Sequence, residues 1–386
     1  ALNIVYPHED LEKEGEEGKI ESFLYGKSGL NRIMSYSKDK KTGFEYVEKI
    51  KNKFGRIFSS EGGANSPLKK YSSKIYSIIS NIKANNEGII LIYSNYIDGG
   101  CVPVALALEE IGVTRYGGKQ KSLFKTPPTK PFKIQKHSAK YIMITGDKQL
   151  SPNNKEELKA ATDPRNITGE KVKVIIISKA GSEGLDFRNI RQVHALEPWF
   201  NLNRLDQIIG RAVRNKSHCQ LPYNKRNVEI YLYGSELTSN TEPMDLYVYR
   251  LAEYKSIRIG KITRLLKENA IDCLLNKNQQ DMIALNMNKT VLQTLSNNTK
   301  IKYHIGYKNN SIICDFMNCK YSCNPNPKIK GKITTATYTE NFIIMNLEKI
   351  LQRIRMLFKE HYIYEKIDLI NRINSIKHYS NEQISM

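Results

Sequence analysis

Residues 172–214 read VKVIIISKAGSEGLDFRNIRQVHALEPWFNLNRLDQIIGRAVR, and the fold turns on this stretch. Its opening, Val172 to Ile177, is an almost unbroken β-branched run, as expected of a strand covered on both faces in a parallel sheet. A small-residue turn, Ala180-Gly181-Ser182-Glu183-Gly184, leads into Leu185-Asp186. A second strand-like run, Ile190 to Leu196, ends at Glu197-Pro198, and an amphipathic helix then carries Gln207, Gly210, Arg211 and Arg214. Spaced three apart on a helix, Arg211 and Arg214 are expected on one face. Two forked guanidiniums side by side suit a polyphosphate better than a lone carboxylate.

AGSEGLDF resembles motif V, and QIIGRAVR resembles motif VI, of the superfamily 2 helicases. The intervening RQVHALEPWFN and the trailing RNKSHCQLP are similar to the variant found in large DNA viruses. That variant occurs in the poxvirus early transcription factor small subunit, in nucleoside triphosphatase I, and in giant-virus and asfarvirus helicases. A lone GRxxR says little. Two ordered motifs, each on its expected strand or helix, say much more.

Working outward, Ile89 to Tyr93 (IILIY) reads as a buried strand and Val102 to Ile111 as a helix. The resemblance makes this motif IV, in which Ser94 and Asn95 match residues on the nucleic-acid backbone; a plain turn capping the helix is the other reading. Tyr141 to Thr145 is a further strand, and Ser151-Pro152 reads as the cap and first turn of a helix. By resemblance, Thr145 and Gly146 lie near the bound strand. Between these strands, Tyr116 to Lys140 is rich in Gly, Lys and Pro, and is expected to be a solvated loop. Val228 to Tyr233 (VEIYLY) supplies a last strand. Strands alternating with helices over 66–235 predict an α/β, RecA-like parallel sheet lobe, the helicase C-terminal domain.

Residues 1–65 show no usable period and are expected to be a linker or the tail of a missing first lobe. Gly26-Lys27-Ser28 ends like a phosphate loop, but position 21, where that loop needs glycine, is Glu. No Asp-Glu pair follows an apolar strand to hold Mg²⁺. The chain begins at Ala1 and is expected to be a piece of a longer protein, inactive alone without Walker A and B.

Beyond residue 235 the pattern turns mainly helical, giving an expected extension over 236–338. Cys314, Cys319 and Cys323 cluster there, with Cys273 upstream. Four thiolates match a structural Zn²⁺ site, with His304 as a substitute ligand; buried free thiols are the other reading. Residues 339–386 carry two amphipathic patterns and basic residues, and suggest a helix-turn-helix or winged-helix-like module.

Lys and Arg number 60 against 39 Asp and Glu, a formal net charge of +21, which favours a polyanionic partner. No apolar run approaches the ~20 residues of a membrane span, so no membrane partner is expected. The cysteines are read as reduced, in an intracellular setting: host cytoplasm, viral factory or virion.

The resemblance implies an ATP-dependent helicase or translocase, using ATP and Mg²⁺ bound mainly by the first lobe. Arg211 and Arg214 match the arginines that stabilise charge on the transferring phosphoryl group, and Gln207 the residue linking nucleotide to nucleic acid. Gly184, Asp186 and Gly210 match positions near the nucleotide; Gly181 and Ser182 match positions at the strand. The partners implied are nucleic acid (DNA favoured over RNA), the first helicase lobe, and a viral RNA polymerase or transcription factors. A non-catalytic lobe that binds nucleic acid or a transcription complex is the alternative.

Overall fold

The computed structural model describes residues 2–8, 24–84, 87–117, 122–128, 131–134, 137–179, 185–237, 241–280, 289–326, 340–379 and 384. The chain divides into two units, Ala1–Asn324 and Pro325–Met386.

In the first unit the strand-like runs assemble into one sheet. Its members are β3 (Ile89–Tyr93), β4 (Thr114–Arg115), β7 (Lys140–Ile144), β8 (Val174–Ile177), β9 (Ile190–Ala195) and β10 (Glu229–Leu232). Their order is β10-β9-β3-β8-β7-β4, and every pairing is parallel; the short strands β5 (Lys133–Ile134) and β6 (His137–Ser138) pair with each other outside this sheet. The central strands β3, β8 and β9 are buried at every residue, whereas edge strand β10 alternates half-buried and exposed. This is the RecA-like parallel sheet expected from the sequence.

Register sorts the side chains into two faces. Val193, Leu91, Ile175 and Ile142 lie in one row across the sheet. They join a core with Ile208 and Ala212 of one flanking helix and Ala160 and Ala161 of another. Ile90, Ile92, Val174, Ile176, Tyr141 and Met143 point the other way, into the larger core. Each fully buried Ile or Leu contributes roughly 1.5–3 kcal/mol of transfer free energy.

The larger core draws in the amino-terminal residues. Helix α1 (Gly26–Ile33), the hairpin β1 (Met34–Ser37) and β2 (Thr42–Tyr46), and helix α2 (Glu48–Phe54) place Leu30, Ile33, Met34, Phe44 and Ile50 in it. Ile4 and Tyr6 are buried there as well. The described part of the segment read as a linker is therefore part of the lobe.

Two helices, α3 (Pro67–Tyr71) and α4 (Ser73–Ala84), replace the single stripe over 68–82. A serine opens each: Ser66 Oγ accepts from Lys69 N–H at 3.3 Å, and Ser72 Oγ, between the two, from Ile75 N–H at 3.1 Å. Helix α5 (Val102–Glu110) follows a π-helical turn at Ile97–Cys101. Helix α6 (Asn154–Ala161) starts later than Ser151, whose hydroxyl donates instead to the Met143 carbonyl at 2.5 Å. Between these helices, the described part of the Tyr116–Lys140 loop is anchored. Leu123 and Phe124 are buried, and their amides donate to the Glu109 carboxylate at 2.8 and 3.0 Å.

The extension has one long helix, α8 (Met244–Asn269), after α7 (Leu202–Ala212), then α9 (Cys273–Gln280). A buried ion pair, Lys74 Nζ to Asp245 Oδ2 at 2.5 Å, fastens α8 to α4. An antiparallel ribbon follows, β11 (Thr290–Thr294) and β12 (Lys300–His304), which the helical expectation did not include. The zinc reading, and the expectation that these four cysteines are reduced, are corrected by the sulfurs themselves. Cys273 is bonded to Cys323 and Cys314 to Cys319, so no thiolate of the four is left for a metal. Among the described residues no group of three or more His, Cys, Asp or Glu is placed to hold a metal ion.

In the second unit, α10 (Glu340–Glu360) and α11 (Lys366–Ile373) share a small core of Ile350, Leu357, Ile373 and Tyr379. Among the described residues no helix is long and apolar enough to cross a membrane.

Candidate functional site

Parallel strands end at one edge of the sheet, so the loops after β3, β7 and β9 gather there, where ligands of open α/β sheets bind. Three of these loops are held by side chains that the motif reading did not single out.

Glu197, at the end of β9, is fully buried. Its carboxylate accepts from Ser94 Oγ at 3.0 Å, from Asn3 Nδ2 at 2.8 Å, and from the Asn95 amide. Burial pushes its carboxyl above the usual carboxylate range, against the pull of those three donors. Gly100 completes the packing: a Cβ there would stand 1.9 Å from Ser94 Oγ, so only glycine lets the turn close. Ser94 is thus 1% exposed and its hydroxyl is committed inward. Asn95 is half-buried at the rim. Its Oδ1 accepts from Tyr93 Oη at 2.6 Å and from Arg204 Nη1 at 3.2 Å, and the Arg204 guanidinium lies 4.9 Å over the Trp199 ring.

Lys41, in the β1–β2 turn, reaches between two loops. Its Nζ sits 2.5 Å from Asp147 Oδ2, after β7, and 3.5 Å from Asp98 Oδ1, after β3. Burial works against its charge, but the two carboxylates outweigh burial and hold its pKa above the ordinary value. Asp147 is held below the usual range; burial opposes this, and the Lys41 ammonium and the Gln149 and Leu150 amides prevail. Thr145 is buried, its hydroxyl paired with Ser151 Oγ at 2.9 Å, while Gly146 is exposed.

Motif V falls partly outside the described residues: Gly181, Ser182, Glu183 and Gly184 lie there. Its end is described and meets motif VI. Arg211 Nη1 donates to the Leu185 carbonyl at 2.6 Å, and Arg214 Nη1 pairs with Asp186 Oδ1 at 2.7 Å. The two arginines do not share a helical face, because α7 ends at Ala212 and Val213 turns away at ψ 85°. They converge on neighbouring residues from either side of that break. Asp186 is 64% exposed and Arg214 47%, so their pair is solvated and worth about 0–1 kcal/mol. A phosphate could displace it at little cost. Gln207 is exposed on α7 and lines a cleft of about 280 Å³ with Trp199, Arg204, Ser256 and Ile259. No atom stands within 4 Å of a Cβ built on Gly210, which leaves that flank of the helix open.

Two guanidiniums thus meet beside Leu185 and Asp186, forked donors of the kind that binds phosphate oxygens, and the described residues hold no carboxylate cluster for Mg²⁺.

Comparison with known proteins follows the same lines. Residues 73–216 match the helicase conserved C-terminal domain. Protein 087L of Invertebrate iridescent virus 3, named as a helicase, is 31% identical over 263 residues, covering 66% of this chain and 24% of its own length. Protein L377 of Acanthamoeba polyphaga mimivirus, named as an ATP-dependent RNA helicase, is 25% identical over 457 aligned positions, covering 100% of this chain and 38% of its own. The termination factor NPH-I homolog of African swine fever virus is 30% identical over 236 residues, covering 53% of this chain and 33% of its own. The chain spans between 24% and 38% of the length of these relatives. Among solved structures, the C-terminal part of the Fun30 ATPase domain aligns over 49% of this chain and 47% of its own at 16% identity, with a TM-score of 0.32. The resemblance read from the two motifs holds: the lobe carries the helicase conserved C-terminal domain, and its relatives are proteins of large DNA viruses, two of them named as helicases.

Proposed function

We propose that this chain is the second lobe and carboxyl-terminal extension of an ATP-dependent nucleic-acid helicase or translocase. The observation that carries the reading is the convergence of Arg211 and Arg214, at the end of α7, on Leu185 and Asp186. In this reading Arg211 and Arg214 face the γ-phosphate across the cleft from a first lobe and stabilise the charge of phosphoryl transfer. Mg²⁺, bound with the nucleotide by that other lobe, supplies neutralisation of the phosphate oxygens.

Gln207, one turn before Arg211, faces the cleft between the nucleotide and the strand. Gly184, Asp186 and Gly210 border the nucleotide. Asn95, Gly146, Gly181 and Ser182 border the nucleic-acid backbone, while Ser94 and Thr145 act by holding their loops in place. Differential affinity of the open and closed lobes for nucleotide then shifts their populations and moves the strand.

DNA is favoured over RNA, and a transcription role is proposed from the African swine fever virus relative, which is named a termination factor homolog. The basic helices of the second unit are proposed to form a helix-turn-helix-like module on DNA. Partners would be the first lobe and a viral RNA polymerase or transcription factors, in host cytoplasm, viral factory or virion.

The test is nucleic-acid-stimulated ATPase of the full-length protein, with DNA and RNA compared. Arg214→Ala is expected to cut stimulated turnover by roughly 10³-fold or more. Unchanged turnover sinks the assignment and leaves the binding-only lobe as the better reading.

A further inference from the structure

The ribbon β11–β12 stands apart from the six-stranded sheet. Thr290 faces His304, Leu292 faces Lys302, and Thr294 faces Lys300. Alternation therefore puts Lys300, Lys302 and His304 on one face, with Ile301 and Tyr303 on the other. All five residues of β12 are exposed, and of β11 only Val291 is partly covered. Leu292 and Tyr303 stand 64% and 49% open to solvent.

The charge on this ribbon is one-sided. From Lys289 to Cys314 there is no Asp or Glu, while Lys289, Lys300, Lys302 and Lys308 are all present. Among the described residues no ion pair engages any of these four lysines. Two strands alone are marginally stable in water, and adjacent like charges on one face cost more. A ribbon kept in this state is suited to a polyanion that neutralises it.

Position narrows the choice. The Tyr223 hydroxyl donates to the Thr294 carbonyl and ties the turn end of the ribbon to the segment entering β10. That segment precedes β10 and so lies at the amino-terminal edge of the parallel sheet, a short strand's length (roughly 13 Å at ~3.3 Å per residue) from the edge holding Asn95. The major groove of a duplex admits a two-stranded ribbon.

We propose that this ribbon is a second nucleic-acid contact, taking the phosphate backbone of duplex flanking the strand in the cleft, with Lys300 and Lys302 as its main donors. The inference rests on the helicase reading above. The exposed ribbon edges also suit strand addition by a protein partner, the competing outcome.

The experiment uses this 386-residue chain and fluorescence anisotropy with a duplex DNA and a single strand of equal length, across a salt series. Wild-type binding to either probe tests the helicase reading; no binding overturns both claims. The difference between wild type and Lys300→Ala/Lys302→Ala tests the ribbon alone. The expected result is a duplex affinity about tenfold lower and a salt slope smaller by about 2, since each lost phosphate contact removes roughly 0.9. Single-strand binding should change less, and Lys300→Arg/Lys302→Arg should restore duplex binding. An unchanged duplex slope overturns the proposal and favours the protein partner, as does equal loss on both probes for the duplex assignment.

Discussion

Arg204 donates from Nη1 to Asn95 Oδ1 at 3.2 Å, joining the first turn of α7 to the loop after β3. The same helix ends beside Arg211 and Arg214, so one short rod links the proposed strand contact to the proposed phosphate contact. Charge-assisted hydrogen bonds contribute roughly 1.5–3 kcal/mol, and stacking on Trp199 adds planarity that lysine cannot supply. A double-mutant cycle of Arg204→Ala and Asn95→Ala, read by urea unfolding, is expected to show coupling of about 1 kcal/mol. Additive losses would mean that the two groups act independently. Arg204→Lys should recover little of the coupling.

A second expectation concerns acid. His194 is fully buried on β9, with Nδ1 2.8 Å from Tyr233 Oη and Nε2 3.1 Å from Gln192 Oε1. Burial depresses its pKa to about 3 from an ordinary 6.5. Above pH ~6.5 neither state takes the proton, and the site carries no penalty. As pH falls from about 6.5 towards 3, the unfolded chain binds a proton that the native chain refuses, so stability drops. Replacing His194 with Gln should flatten that part of the curve. Urea midpoints between pH 7 and 4.5 measure it, and an equally steep fall in the variant would refute the attribution.

The cysteine pairs make a third. Cys273 and Cys323 close a loop of separation 50, for which chain entropy gives roughly 4 kcal/mol. Reduction is therefore expected to lower stability of the extension by about 2–4 kcal/mol, while the six-stranded lobe keeps its own transition. Peptide mapping without reductant should recover 273 with 323 and 314 with 319. Stoichiometric zinc in protein prepared without chelator would reverse this assignment.

These pairs also show where sequence stops being informative. Spacing alone left a metal set and buried thiols as the options, and only folding brought the sulfurs together in pairs. The central strands were legible because burial on both faces demands continuous β-branched residues, as in Ile89–Tyr93 and Val174–Ile177. Motif VI was legible as a helix, but its end was not. Val213 departs from helical ψ, and Arg214 finds Asp186 from outside the helix. Leu30 and Ile33 share the buried face of a helix only eight residues long, and Phe44 and Phe58 reach the same core from a hairpin strand and a loop, so no one period runs through them. Glu197 gave no motif at all; its meaning lies in donors from Asn3 and Ser94, 194 and 103 positions away. The ribbon had a signal, TVLQT and KIKYH alternating around an Asn-Asn turn, which an all-helical frame passed over.

The amino-terminal residues carry a further consequence. Val5 N–H donates to the Tyr71 carbonyl at 3.0 Å, Ser72 Oγ donates to the Asn3 carbonyl at 2.6 Å, and Tyr6 is wholly buried. The stretch matching the helicase domain begins at residue 73, immediately after these ties. Gene shuffling at that border would inherit the motifs yet leave behind Ile4, Tyr6, Leu30, Ile33, Phe44 and Phe58 of the larger hydrophobic core. In this chain, what is recognisable as a domain and what can be transplanted are different lengths of sequence.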